Sequence, residues 1–318
     1  MTSDNRRARS RSEAMSRRAC LAGALGLAAA SFERPARGQA SAVGAPTAGA
    51  TTGGPVDAQV RAPVIYLSHG APIFAINDPA RIGELRAWGA TLAKPAGILA
   101  VTPHYASRRL EVGATGRGFA MYDLPEAFAR RIPRGLEYAT PPSEALASRV
   151  GALLSSRGPT VRGDRRGMDH TTWMPLRCLF PAADVPVLEL AYPYVPEDDA
   201  FAIGRQLAPL RDEGVLVFAS GGMTHNLAAM DFESSPPRWA SEFDAWAAEA
   251  IAGGQVDELV DWRRKAPAAP LAHPDDGGHF RVLLVALGVA LGGRGSRRVT
   301  FPVTGFEATM SKRSVELA

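Results

Sequence analysis

Short continuous apolar runs, rich in β-branched residues and bounded by Gly or Pro, recur along the chain at Val64–Ser68, 97–102, 185–191 and Val215–Ser220. Their unbroken hydrophobicity is that of strands covered on both faces. Between them the apolar spacing changes to a helical period. The stretch 79–93 follows a candidate N-cap, Asp78, has Pro79 at its first position, and places Ile82, Leu85 and Trp88 on one face. Further helices are predicted over 143–156 (Leu146, Val150, Leu153, Leu154), 200–213, 239–252 (Phe243, Trp246, Ala250, Ile251) and 280–291, with a short one over 174–180. A last strand is expected at Val299–Val303. Strand–helix alternation of this kind predicts an α/β fold, a three-layer sandwich with a central mostly parallel sheet flanked by helices. The proline-marked segment 105–141 reads as irregular chain over the sheet, and 162–173 and 271–279 as polar loops.

Histidine sharpens the picture. Three apolar runs end in one: His69 follows Val64–Ser68, His104 closes the run from Gly97, and His225 follows Val215–Ser220 after Gly221-Gly222. Parallel sheets bind ligands beyond the carboxyl ends of their strands, so these imidazoles should converge. Converging imidazoles suit a transition metal. The other three, His170, His273 and His279, also sit in loops or at element ends. Neither His-Glu-x-x-His nor Cys-x-x-Cys is present, so the site must be assembled from distant segments. Gly221-Gly222 lacks the lysine of a phosphate loop, and backbone freedom near His225 explains it better. His170, beside Asp169, is a candidate acid/base because its ordinary pKa lies near neutrality.

The first forty of the 318 residues change the charge argument. Arg17-Arg18 precedes a small-residue apolar stretch, and Ala40 ends a candidate cleavage site, the layout of a twin-arginine signal peptide over 1–40. About a dozen apolar residues are too few to cross a bilayer. Residues 41–60, mostly Ala, Gly, Thr and Pro, read as a flexible linker before a catalytic domain over 61–318. The leader holds eight Arg against three acids, so the net +4 of the whole chain leaves the remainder near −1. That argues against a nucleic-acid partner, and the mature form is expected to be periplasmic and free of the membrane. Cys20 would leave with the leader, so Cys178 remains alone and no intramolecular disulfide is expected.

His69-Gly-Ala-Pro, Thr-Pro-His104-Tyr, Gly-Met-Asp-His170-Thr-Thr-Trp-Met-Pro-Leu, Gly-Gly-Met-Thr-His225-Asn-Leu and His273-Pro…His279, in this order, resemble the class III extradiol ring-cleavage dioxygenases. The likeness is to the 4,5-DOPA dioxygenase-like branch of the LigB superfamily and covers roughly residues 62–312. It implies a non-haem metal, Fe(II) or Zn(II), held by His69, His104, His225 and His279. It also implies His170 as the pocket acid/base, with Tyr105, Asp169, Thr171 and His273 as substrate contacts. Between His273 and His279, the position at a helix opening favours His279 as the last ligand. The implied reaction is metal-dependent extradiol cleavage of a catechol-type aromatic diol by dioxygen. A periplasmic zinc-binding or zinc-hydrolytic protein using the same histidines is the alternative. This chain departs from the family at Thr171, where a Gly is usual, at Thr-Pro-His104-Tyr105, and at Gly277-Gly278, where an acid usually precedes the histidine.

Overall fold

Every residue of strand β1, Val64–Ser68, is buried, as its unbroken apolar run requires of a strand covered on both faces. The computed structural model describes residues 61–318 apart from 134, 163–165, 194, 232–234 and 294–297. The expected leader and linker lie outside the described residues. The described residues fall in one compact unit, Pro55–Ala318.

After β1 come β2 (Gly97–Ser107), β3 (Glu111–Val112), β4 (Thr160–Val161), β5 (Val187–Pro193), β6 (Val215–Gly221), β7 (Val299–Val303), a hairpin of β8 (Phe306–Glu307) and β9 (Met310–Ser311), and β10 (Ser314–Leu317). Apart from the hairpin they form one sheet, ordered β4-β3-β5-β2-β6-β1-β10-β7. Its centre, β5-β2-β6-β1, is parallel. β10 runs antiparallel to both β1 and β7, and β3 antiparallel to β5.

Alternation along each strand splits the core in two. Val64, Tyr66, Leu99, Val101, Leu188, Leu190 and Val217 share one cluster with residues of three helices: α2 (Glu144–Leu153), α4 (Glu197–Leu207) and α6 (Gly278–Leu291). Ile65, Leu67, Ile98, Ala100, Val187, Leu216 and Phe218 share the other with α1 (Pro79–Gly89) and α3 (His170–Leu179). A fifteen-residue helix, α5 (Arg238–Ala252), adds Phe243, Ala247 and Ile251 to the first cluster. The expected three layers are present. Among the described residues no helix is long and apolar enough to cross a membrane.

Several boundaries differ from the sequence reading. Helix α1 starts as expected, with Asp78 accepting from the Ala80 amide at 2.9 Å, but it stops at Gly89, ahead of Lys94-Pro95. The helix expected over 200–213 is two, α4 and a turn at Pro209–Asp212, since Pro209 has no N–H to continue the ladder. Helix α3 begins at His170 rather than 174, because Asp169 caps the amides of Thr171 and Thr172. Pro175, inside it, leaves the Thr171 carbonyl without its helical donor, and the Ser220 hydroxyl fills that place at 2.7 Å. Val299–Val303 is not the last strand, because β10 follows and enters the sheet beside β1.

Helices α4 and α6 touch backbone to backbone. A Cβ on Gly204 would lie 2.1 Å from the Val285 carbonyl oxygen, and one on Gly288 would lie 2.1 Å from that of Phe201. Gly204→Ala should therefore lower the unfolding free energy by about 2 kcal/mol through overpacking. Gly83→Ala, on an exposed helical site with nothing within 4 Å of the added methyl, should raise it by about 0.5–1 kcal/mol. Urea unfolding of the two variants checks both signs.

Candidate active site

The carboxyl ends of the parallel strands deliver the first two imidazoles. His69 follows β1, its amide still bonded to the Gly221 carbonyl of β6 at 2.9 Å. Its Nδ1 lies 2.9 Å from the Gly70 carbonyl oxygen. A carbonyl can only accept, so Nδ1 carries the proton and Nε2 the lone pair. That Nε2 is buried without a hydrogen-bond partner among the described residues. His104 comes from β2 where its pairing with β5 shifts register between Val101 and Ala106.

The third imidazole, His279, sits in the first turn of α6. Gly277 (φ 71°) opens that helix, and its amide is held by Asp275 Oδ1 at 2.8 Å. A Cβ on Gly221 would lie 2.2 Å from the His279 carbonyl oxygen. Gly221, the last residue of β6, thus lets helix and strand meet. The loop ahead of His279 is fastened from outside: Arg281 Nη2 donates to the Asp276 carbonyl at 2.6 Å, Arg263 reaches the same oxygen, and both arginines pair with Glu197.

His69, His104 and His279 offer ligand atoms all within 4.8 Å of one another. Their ring centroids are 5.2–5.6 Å apart, and the Nε2 atoms of His104 and His279 are 3.3 Å apart. Burial, then neighbouring imidazoles, holds His69 and His279 well below the ordinary histidine pKa. Loss of water around its ring takes His104 down to about 4, with Asp169 working the other way. All three are neutral near pH 7, the protonation state a metal requires. An orphaned buried nitrogen beside two other neutral imidazoles fits a transition metal.

The other two site histidines flank this group. His225 lies in a second donor group with Asp275 and His279. Its ring stacks on His279 with centroids 3.4 Å apart, and its Nδ1 is 3.0 Å from Asp275 Oδ2. His170 opens α3 on the other flank, its ring 4.6 Å from that of His104. Asp123 Oδ1 accepts from both the amide and Nδ1 of His170, each at 2.9 Å. Each flanking imidazole thus has Nδ1 tied to a carboxylate, leaving Nε2 for chemistry.

The four expected substrate contacts are placed otherwise. Tyr105 is next to His104 on a strand, so it points to the opposite face. It is buried there under the Arg166 guanidinium, 3.9 Å from its ring. Asp169 is fully buried and committed to its cap. It accepts from Thr171 Oγ1 at 2.6 Å, from the Thr171 amide at 2.8 Å and from Thr102 Oγ1 at 2.7 Å. Burial opposes its charge, but these bonds and His104 keep its carboxyl below the usual range. Thr171, where a glycine is usual, spends its hydroxyl on that same carboxylate. His273 is packed among Phe243, Trp262 and Phe280, with Nε2 donating to the Met223 carbonyl at 3.1 Å.

Sequence reasoning missed Asp123 and Asp275 as partners of the flanking histidines. Asp275 precedes His279 by four residues, a spacing that could have drawn attention to it. Asp123 lies in irregular chain, where no periodicity marks it.

The family described as "Catalytic LigB subunit of aromatic ring-opening dioxygenase" matches residues 46–309. The 4,5-DOPA dioxygenase extradiol of Beta vulgaris is 34% identical over 237 residues, covering 71% of this chain and 85% of that one. The Escherichia coli K12 protein of the same description is 30% identical over 274 residues, covering 81% and 95%. A crystal structure of an uncharacterized Escherichia coli K12 protein aligns with a TM-score of 0.69 at 29% identity, over 81% of this chain and 100% of that one. With most of its length matched and its histidines gathered at the sheet's carboxyl edge, the chain belongs to the LigB superfamily of class III extradiol dioxygenases, which open aromatic rings.

Proposed function

We propose that this protein cleaves a catechol-type ring beside its diol with dioxygen, using a non-haem divalent metal, Fe(II) or Zn(II), held by His69, His104 and His279. One observation carries the reading: the unpartnered, buried Nε2 of His69 lies in a group of three imidazole donors within 4.8 Å. His225 is assigned to the flank rather than the ligand set, because its ring lies parallel to His279 (11°) and its donor group is with Asp275 and His279 rather than with His69 and His104. The bound metal supplies positive charge that lowers the pKa of a diol, together with a meeting point for two substrates.

The chain does the rest. His170 Nε2 takes a diol proton, and the Asp123 carboxylate stabilises the imidazolium so formed. His225, held by Asp275, is placed to hold or return a proton from the opposite side. Thr102, Asp169 and Thr171 tie β2 beneath His104 to the cap of His170, fixing base and ligand in one frame.

Three outcomes are expected. His69→Ala and His104→Ala should lose stoichiometric metal after anaerobic purification, whereas His225→Ala and His170→Ala should keep it, as read by elemental analysis. Oxygen uptake on a panel of catechols should require Fe(II) and fall by about 10²–10⁴-fold in His170→Ala. Ester or amide hydrolysis with Zn(II), and no uptake with any diol, would instead support the zinc-hydrolase alternative. The paired arginines of the leader support export of the folded protein. N-terminal sequencing of periplasmic material should then begin near residue 40, and an uncleaved cytoplasmic chain would refute export.

A further inference from the structure

A cavity of about 450 Å3 opens beside β5, and none of the six histidines lines it. Val187 and Glu189, two apart on β5, form one wall. Met168 and the half-exposed Phe119 form another, joined through the Phe119 carbonyl, which accepts from the Met168 amide at 2.8 Å. Phe119 also lies close over Gly167, where an added Cβ would meet its ring at 2.7 Å.

The polar lining is unevenly charged. Arg166 is fixed: its Nη1 donates to the Gly167 carbonyl at 3.1 Å and to Glu189, and its guanidinium lies on the Tyr105 ring. Both bonds use one nitrogen, so Nη2 keeps its donors. Arg117 has neither hydrogen bond nor ion pair among the described residues. Glu189 is buried, and burial together with the adjacent Asp169 carboxylate pushes its own carboxyl well above the usual range, against the pull of Arg166. Both guanidinium groups line a cavity whose apolar walls are Phe119, Met168 and Val187; Arg166 shares its charge with Glu189, and Arg117 meets no carboxylate among the described residues.

We propose that this cavity is a binding site for a small aryl or aryl-alkyl carboxylate, its anionic end held by Arg117 and Arg166 and its ring against Phe119, Met168 and Val187. Guanidinium forks match a carboxylate in shape as well as charge, and an apolar pocket with a few polar anchors is the usual form of a small-molecule site. The site is separate from the histidine centre and needs no metal.

The test is calorimetric titration of metal-free protein with benzoate and phenylacetate, using benzamide and phenylacetamide as uncharged mimics. Saturable 1:1 carboxylate binding is expected, with the amides weaker by about tenfold or more. Arg117→Gln and Phe119→Ala should each weaken carboxylate binding by about tenfold, whereas His104→Ala should leave it unchanged. Both lining side chains are exposed, and thermal melts check that the variants remain folded. The proposal is overturned by absent binding, by amides that bind as well as acids, by binding indifferent to Arg117→Gln, or by loss of binding in His104→Ala. Because the titration uses metal-free protein, failure of the ring-cleavage reading leaves this result intact.

Discussion

Three imidazoles can crowd within 5.6 Å of one another only while none of them is charged. Protonating His69 or His279 would place a cation out of water, and its charge would hold protons off the neighbouring rings. Burial pushes His69 and His279 well below the ordinary histidine range. His104, the ring of the three that reaches solvent, is also lowered to about 4, so lone pairs are left directed at a common space. The architecture serves this constraint. β1 and β2 bring two rings to the same sheet edge, and the close contact of Gly221 with the His279 backbone brings the third.

A second device lies beneath the first. Asp169 gathers the Thr102 hydroxyl, two helix amides and the Thr171 hydroxyl, so one carboxylate links the strand of His104 to the helix of His170. Its charge is affordable because it is surrounded by donors, the condition under which burial of an anion is tolerated. The same network explains how a threonine stands where relatives of this family commonly have glycine. The added side chain turns into the cap rather than towards the pocket.

The parts of this arrangement that local pattern encodes were legible in the sequence. Apolar runs located β1, β2, β5 and β6, and their ends located His69 and His104. What escaped depends on facing and on long-range partners. Tyr105 follows His104 in sequence, yet strand alternation turns it away. His273 shares a loop with Asp275 but is drawn into the Phe243–Trp262–Phe280 cluster, where an imidazole packs as an aromatic ring. The role of Asp123 arises only when residue 170 folds back over it, 47 positions later. β10 is four residues long and gains its place from pairing with β1 on one side and β7 on the other.

The two flanks of the centre are built to different standards of rigidity. On the His279 side, Arg263, Arg281 and Glu197 lock the preceding loop to a helix packed backbone to backbone against its neighbour. On the Asp123 side, the chain leading to that residue pairs with the rest of the fold through isolated bridges, Gly118 with Thr140 and Ala120 with Met168, and single hydrogen bonds such as that from Trp173 Nε1 to the Met121 carbonyl. Sequence drift can therefore accumulate on one side at small cost to the other. A lineage with this frame can explore new ligands along 114–119 while Asp123 and the inherited histidine centre keep their shape.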